Sequence, residues 1–300
     1  MRDDTQIDVA PRYLAGAGGE PGDALNLLIK KRNWPHHTDP ENASLFISSP
    51  CHRLRVAFIG DYLDPWQLVA SSKPMGAPDW MARFDGRTPV EIVGAFLETI
   101  AGDLEEYPEQ VFNRRSYLVK DATRLVEQAG WKREFTANVI PLTAPDGLAG
   151  LEVQRVPTGL AKDFDPYDET VMLWAGPKGT PAYWEAHFTN GTPLHVIAAA
   201  TRPMITPAPV QRHHKDLAPE VLRHLTGARD EHRASSRAQA ARPAPAPAPA
   251  ASHRPRRRPT SQPSPGPSGD PLRTREPYEP PRTTAGWTTT ARPDPTPQRH

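Results

Sequence analysis

The chain has 300 residues, 37 of them proline, and a formal net charge of only +1. Charge and proline are unevenly distributed: residues 229–300 hold 16 prolines, 13 arginines and 6 acidic residues, a net charge of +7, and residues 1–228 carry −6. The single cysteine, Cys51, excludes an internal disulfide framework and a cysteine-based zinc site. No apolar run approaches the ~20 residues of a membrane span, and no secretory leader is recognisable. We therefore expect a cytoplasmic protein without membrane association.

The first helical pattern in chain order begins at Asp23 and leads to Trp34, and a second begins at Asp121 and leads to Trp131. Strand-like segments follow each helix, including Leu54–Phe58 and its counterpart at 151–156. The next segments, 80–84 and 184–188, alternate apolar and polar residues, which is the period of a strand with one buried face. Helix signals come after these strands, so each stretch predicts a helix, three strands and a second helix.

An internal repeat connects these two stretches at a constant offset of 104 residues. Eight positions agree without a gap, including two tryptophans and two Thr-Pro pairs, and such agreement is improbable by chance. The predicted core of the repeat consists of Trp80, Phe84, Thr88 and Pro89 in the first unit and Trp184, Phe188, Thr192 and Pro193 in the second. Thr88, Pro89 and Glu91 form a capping-box pattern at the start of a helix.

The fold class predicted from this pattern is α+β, with two repeated modules of a helix, a three-stranded antiparallel sheet and a helix. The first module spans residues 10–103 and the second 110–205. A helical segment at 206–228 and a disordered, proline- and arginine-rich tail at 229–300 complete the chain, because the tail has too few apolar side chains for a core. We expect the modules to pack about a pseudo-twofold axis with a cleft between them.

The motifs of the first unit resemble those of the SPDY domain, an actinobacterial domain of unknown function that often occurs in tandem. The resemblance covers residues 1–205 and rests on Pro11-Arg12-Tyr13-Leu14-Ala15-Gly16, Ser49-Pro50-Cys51-x-Arg53-Leu54-Arg55, Trp80-x-Ala82-x-Phe84 and Thr88-Pro89. The second unit departs from the pattern, since Ala144-Pro145-Asp146 stands where Ser-Pro-Cys or Ser-Pro-Asp is expected. The resemblance implies a tandem repeat and assigns no activity, cofactor or catalytic residue.

Motifs that suggest a bound cofactor or metal are weak in this sequence. The glycine-rich loop 16–22 has Pro21 where a dinucleotide fingerprint needs its third glycine, and no parallel βαβ unit follows, so we interpret it as a turn. His36, His37, Asp39 and Glu41 are metal-capable, but they lie together in a proline-bounded segment rather than on several elements, and we expect a solvated loop. We predict neither a cofactor nor a metal.

Two further features bear on chemistry. Glu185 and His187 share one face of a strand, as an acid–base pair would, although exposed cross-face pairs of this kind are common. Cys51 has no activating neighbour in the sequence, and we expect it to be buried. Six tryptophans lie on apolar strand faces or at element ends, where core packing is expected.

The tail carries the clearest charge feature, a cluster formed by Arg254, Arg256, Arg257 and Arg258. Such clusters bind phosphate backbones without sequence preference, and a purely solubilising tail is the alternative. Trp287 stands alone among polar residues and is a candidate docking anchor.

Three hypotheses for function follow. The first is a non-enzymatic binding or adaptor protein whose tail contacts nucleic acid or an acidic protein. The second is an enzyme with a site between the modules, built from unrepeated groups such as Arg83, Glu185, His187 and His36. The third is a structural homo-oligomer assembled through outer sheet edges.

Overall fold

The structure is a computed structural model that describes residues 5–18, 22–60, 64–113, 118–154 and 168–225. The chain divides into two compact units, Met1–Pro243 and Ala244–His300, and every described residue lies in the first. The predicted tail at 229–300 is therefore outside the described residues.

The N-terminal strand β1 (Gln6–Val9) precedes the first repeat, which begins with helix α1 (Gly22–Asn26) and a π-helical turn at Leu27–Lys31. Five strands and a long helix follow. They are β2 (His36–Asp39), β3 (Ser44–Ser48), β4 (Leu54–Phe58), β5 (Trp66–Ala70), β6 (Trp80–Phe84) and α2 (Val90–Glu106).

A short helix, α3 (Pro108–Asn113), leads to the second repeat, which has the same order of elements. Its members are α4 (Val119–Gln128), β7 (Lys132–Arg133), β8 (Val139–Thr143), β9 (Ala149–Gln154), β10 (Glu169–Ala175), β11 (Trp184–Thr189) and α5 (Leu194–Ile205). Strand β12 (Val210–His213) and a helical segment at 219–225 end the described chain.

The ten strands of the two repeats form one continuous antiparallel sheet in the order β2-β3-β4-β5-β6-β11-β10-β9-β8-β7. The α+β class is confirmed. The prediction of three strands per module is wrong, since each repeat contributes five strands; β2 and β7 are short and polar and carry no apolar alternation. The predicted cleft between modules does not divide the sheet, because β6 and β11 pair directly. Residues of both modules, Tyr13 and Arg87 of the first and Tyr183 of the second, do line a cleft of about 390 Å³.

In the part of the chain that the structure describes, the long helices α2, α4 and α5 pack on one face of the sheet, and one hydrophobic core lies between the two layers. Phe84, Phe96 and Phe188 meet at its centre with ring centroids 5.4–5.5 Å apart. All eight residues predicted to form the repeat core are buried. At the symmetric position to Phe96 the second repeat has Ala200, so one large and one small residue fill the space at the axis.

Strand β1 precedes the two repeats and strand β12 follows them, and these two strands pair with each other in a separate two-stranded sheet. Arg212 of β12 is 8% exposed; its Nη2 contacts the Glu91 carboxylate at 2.6 and 2.8 Å, and its Nε donates to the Ala15 carbonyl. Glu91 therefore forms an ion pair with Arg212. The predicted capping box is absent, since Pro89 is the N-cap of α2 and no side chain caps the helix.

Candidate functional site

The sheet face that the helices leave free contains two adjoining features, and the first lies at the junction of the repeats. Arg83 and His187 are direct partners in the β6–β11 ladder, with Phe84 opposite Ala186 and Ala82 opposite Phe188. Since the offset between β6 and β11 is 104 residues, Arg83 and His187 are equivalent positions. The pseudo-twofold axis of the repeat therefore passes between them.

Four polar side chains form a cluster at this axis. Glu169 of β10 accepts a hydrogen bond from Arg83 Nη2, and its other carboxylate oxygen lies 2.7 Å from His187 Nδ1. The other imidazole nitrogen, Nε2, is 3.2 Å from Glu185 Oε2. Three of the four residues named for an enzymatic site, Arg83, Glu185 and His187, are thus brought together, whereas His36 lies on the distant strand β2.

The chemistry of this cluster is that of an ion-pair network. Both imidazole nitrogens of His187 contact carboxylates, which leaves neither nitrogen directed at a substrate. Sequence reasoning missed Glu169 because nothing marks this carboxylate as the partner of two residues that are distant along the chain.

The second feature is an open groove of about 690 Å³ on the outer face of the first repeat. Its floor is formed by side chains of β3, β4 and β5, and its rim by β2 and two turns. The main lining residues are His37, Phe46, Ser48, His52, Arg55, Ala57, Gln67, Val69 and Met75. Gln67 is also the ladder partner of Arg83, so the groove adjoins the axial cluster.

Arg55 lies in the floor of the groove and is fixed by the turn that follows β5. Its Nη2 donates to Ser71 Oγ at 3.1 Å and to the Gly76 carbonyl at 2.9 Å. Its Nε is buried without a hydrogen-bond partner among the described residues. His52, whose Nδ1 is 3.1 Å from Ser48 Oγ, accepts the Met75 N–H on its carbonyl and joins the two turns of the rim.

The corresponding surface of the second repeat is closed. Equivalent backbone hydrogen bonds, from Ser49 to Leu54 and from Ala144 to Ala149, show that β4 and β9 correspond at an offset of 95 residues. Arg55 thus matches Gly150, and its ladder partner Val69 matches Trp174. A Cβ at Gly150 would overlap the indole of Trp174, so this glycine permits the ring to lie flat on the strand.

A smaller cleft of about 390 Å³ lies on the other side of the molecule, between Tyr13, Arg87, Tyr183 and the 216–221 segment. Tyr13 donates to Asp146 at 2.5 Å, and burial together with this carboxylate raises the pKa of Tyr13. Burial also raises the pKa of Tyr183. Acidic and basic groups are mixed in this cleft, and it does not favour one ligand charge.

Other sequence-predicted sites have the following outcomes. Arg254, Arg256, Arg257, Arg258 and Trp287 lie outside the described residues. Cys51 is exposed, and the prediction that it is buried is wrong, because the Ser49–His52 turn points it outward.

The histidine segment and the tryptophans also differ from expectation. Residues 36–39 form the edge strand β2 and not a loop. Of the six tryptophans assigned to the core, five are buried, whereas Trp174 lies half-buried on the outer face.

These observations define an α+β protein of two tandem repeats that share one ten-stranded sheet, with an open groove over Arg55 and Val69 of the first repeat where Trp174 covers the described surface of the second. The family model of the SPDY domain, a domain of unknown function (DUF317), matches two segments of the chain, residues 48–103 and 143–210, one in each repeat, which is consistent with a two-copy domain. Each match covers three central strands and the helix that follows. No curated protein and no solved structure matches the chain. None of the helices in the described part is long and apolar enough to cross a membrane.

Proposed function

We propose that the protein is a non-enzymatic binding protein whose ligand is held in the outer-face groove of the first repeat. The observation that carries this proposal is the difference between the repeats. The same surface is filled by Trp174 on Gly150 in the second repeat and left open over Arg55 and Val69 in the first. A volume of about 690 Å³ falls in the range of small-molecule sites.

An enzyme is the second candidate, favoured by the convergence of Arg83, Glu185 and His187 beside the groove. Binding without catalysis is the better-supported function, because both imidazole nitrogens of His187 are engaged by carboxylates of the protein. The structural-oligomer hypothesis has less support: the outer edge strand β2 has four residues between two prolines, and β7 has two residues. Short edges that are bounded by proline disfavour strand pairing between molecules.

The groove is tested by a thermal-shift screen of the full chain against apolar acids, apolar neutral compounds, sugars and nucleotides. Each compound that stabilises the protein is tested again with Val69→Trp, whose indole occupies space in the groove beside Arg55, and with Val69→Thr, which keeps the groove open. We expect the shift to be lost with Val69→Trp and kept with Val69→Thr. Equal shifts in all three proteins would place the ligand elsewhere, and conversion of the ligand, followed by mass spectrometry, would favour the enzyme.

A role for the tail remains part of the proposal, supported by the opposite charges of residues 1–228 and 229–300. Nucleic acid is the expected partner, and a cytoplasmic location is expected with it. A gel-shift titration at rising salt compares the full chain with a variant in which Arg254, Arg256, Arg257 and Arg258 are serine. Binding that weakens steeply with salt and is lost in the variant supports this role; an absence of binding at low salt removes it.

A further inference from the structure

We propose that the groove of the first repeat selects an apolar small molecule that carries an anionic group, and that Arg55 is the residue that binds the anion. This inference rests on the proposed function and names the ligand class of the same site. The described lining contains Arg55 and the imidazoles of His36, His37 and His52, and it contains no acidic side chain. The charge of the groove is therefore complementary to an anion.

Arg55 differs from most of the partly buried arginines in lacking an acidic partner; Arg12, which does not line the groove and donates to the Ala208 carbonyl, is the other exception. Carboxylates lie within ion-pair distance of Arg32, Arg53, Arg83, Arg133 and Arg212. Among the described residues, Arg55 contacts only a hydroxyl and a carbonyl, both through Nη2, and its buried Nε is unpaired. A guanidinium has five donors, and removing its charge from water is costly unless an anion compensates. An incoming carboxylate or sulfonate supplies that compensation.

The remainder of the groove is suited to apolar ligand atoms. Phe46 and Met75 are among the few large hydrophobic residues exposed in the described chain, at 41% and 65% of their surface, and both line the groove. Val69 and Ile59 extend the apolar wall between them. Exposed apolar patches with a few convergent polar groups are typical of ligand sites. The ligand is thus amphipathic, with its anion at Arg55 and its apolar part between Phe46 and Met75.

The second repeat lacks both elements of this site. Gly150 replaces Arg55, so there is no cation, and Trp174 covers the strand. We therefore expect one ligand for each chain, although the fold contains two copies of the domain.

The experiment uses a matched pair of fluorescent probes, the anion 8-anilinonaphthalene-1-sulfonate and its uncharged parent N-phenyl-1-naphthylamine. Both are titrated into the full chain and into Arg55→Gln, Arg55→Lys and Val69→Trp. Arg124→Gln, which removes an exposed charge on α4, is the matched control. Circular dichroism and thermal unfolding confirm that each variant is folded.

We expect the wild-type chain to bind one sulfonate probe about tenfold more tightly than the neutral parent, a difference of about 1.4 kcal/mol. Arg55→Gln removes this preference, Arg55→Lys retains part of it, Arg124→Gln leaves it unchanged and Val69→Trp abolishes binding of both probes. The Arg55→Lys result carries the test if Arg55→Gln does not fold.

Other results overturn the inference. Equal affinity for the two probes, lost with Val69→Trp, would remove the anion requirement and leave the binding function in place. Binding that Val69→Trp does not change would remove both the inference and the proposed function. A dimer in light scattering that Val69→Trp dissociates would identify the groove as an interface between two copies of the chain.

Discussion

Arg83 and His187 occupy the same position in the two repeats and face each other across the strand pair that joins them. A twofold axis through this pair would bring two identical side chains together, and two like charges there would repel. The sequence instead differs at this position, and Glu169 contacts both side chains. The polar face of the junction therefore depends on a departure from repeat symmetry.

Glu169→Gln tests the contribution of this cluster to the free energy of unfolding. Arg83 and Glu169 are 38% and 32% exposed, so solvent screens their attraction, and we expect a loss of about 1 kcal/mol. In a double-mutant cycle with Arg83→Gln, the coupling energy should be about 0.5 to 1 kcal/mol by urea denaturation. The control is Glu98→Gln, whose pair with Lys31 is mostly exposed and should contribute almost nothing. A coupling energy near zero for Glu169 would show that the cluster does not stabilise the junction.

The buried side of the same junction depends on Phe96. Its ring contacts Phe84 and Phe188 at 5.4 Å, and only Ala200 stands at the symmetric position. Phe96→Ala leaves a cavity that these neighbours cannot fill, and we expect a loss of about 3 to 5 kcal/mol in chemical denaturation. Phe46→Ala, at an exposed phenylalanine, should cost less than about 1 kcal/mol. Similar costs for both variants would contradict the central role of Phe96.

The parts of the fold that could be predicted from sequence are those that recur. Trp80, Phe84 and their equivalents at an offset of 104 residues identified the inner strands and the helices, because the same core must be filled twice. The outer strands could not be predicted in the same way: β2 begins with two exposed histidines and consists of polar residues, so it has no apolar alternation, although it forms a hairpin with the neighbouring β3. The sequence comparison also aligned Leu54 with Leu151, whereas hydrogen bonding aligns Leu54 with Ala149.

The candidate site could not be predicted from the sequence, because its residues do not recur in the second repeat. Arg55, Val69 and Met75 are unrepeated, and each is ordinary by itself. The pairing of Arg55 with Val69 across β4 and β5 is what places a cation beside an apolar wall. The available signal was the contrast between Val69 and Trp174, and it becomes visible only when the strand register is known.

Gly18 is expected to be essential for the packing of β12 against the first repeat, because it lies directly against Arg212. It has φ +64°, and a Cβ there would overlap the guanidinium of Arg212, which is held by Glu91. Gly18→Ala should therefore cost about 3 kcal/mol, from backbone strain and the displaced ion pair. Gly130 also has positive φ but open space around it, so Gly130→Ala should cost only about 1 to 2 kcal/mol in the same thermal unfolding assay. Equal losses would mean that Arg212 moves aside freely.

Asp85 gives a prediction for the pH dependence of stability. Burial raises the pKa of its carboxyl group, and the nearby Asp64 and Glu185 act in the same direction, although the Arg87 N–H opposes them. Because the folded state binds this proton more tightly than the unfolded state, the stabilising contribution is present at low pH. It is lost as pH rises through the raised pKa.

Asp85→Asn removes the cost of ionising this half-buried group while its amide oxygen still accepts the Arg87 N–H. We expect the variant to be more stable than wild type at pH 7, by less than about 1 kcal/mol because water reaches the group, and equal to it at pH 3. Asp39→Asn should behave oppositely, since hydrogen bonds from Asn42 and Glu41 lower the pKa of Asp39, and its loss destabilises the protein at pH 7. Urea denaturation of the three proteins from pH 3 to 8 measures both effects. A fall in stability at pH 7 for Asp85→Asn would show that its charge is stabilised in the fold, with Arg87 outweighing burial.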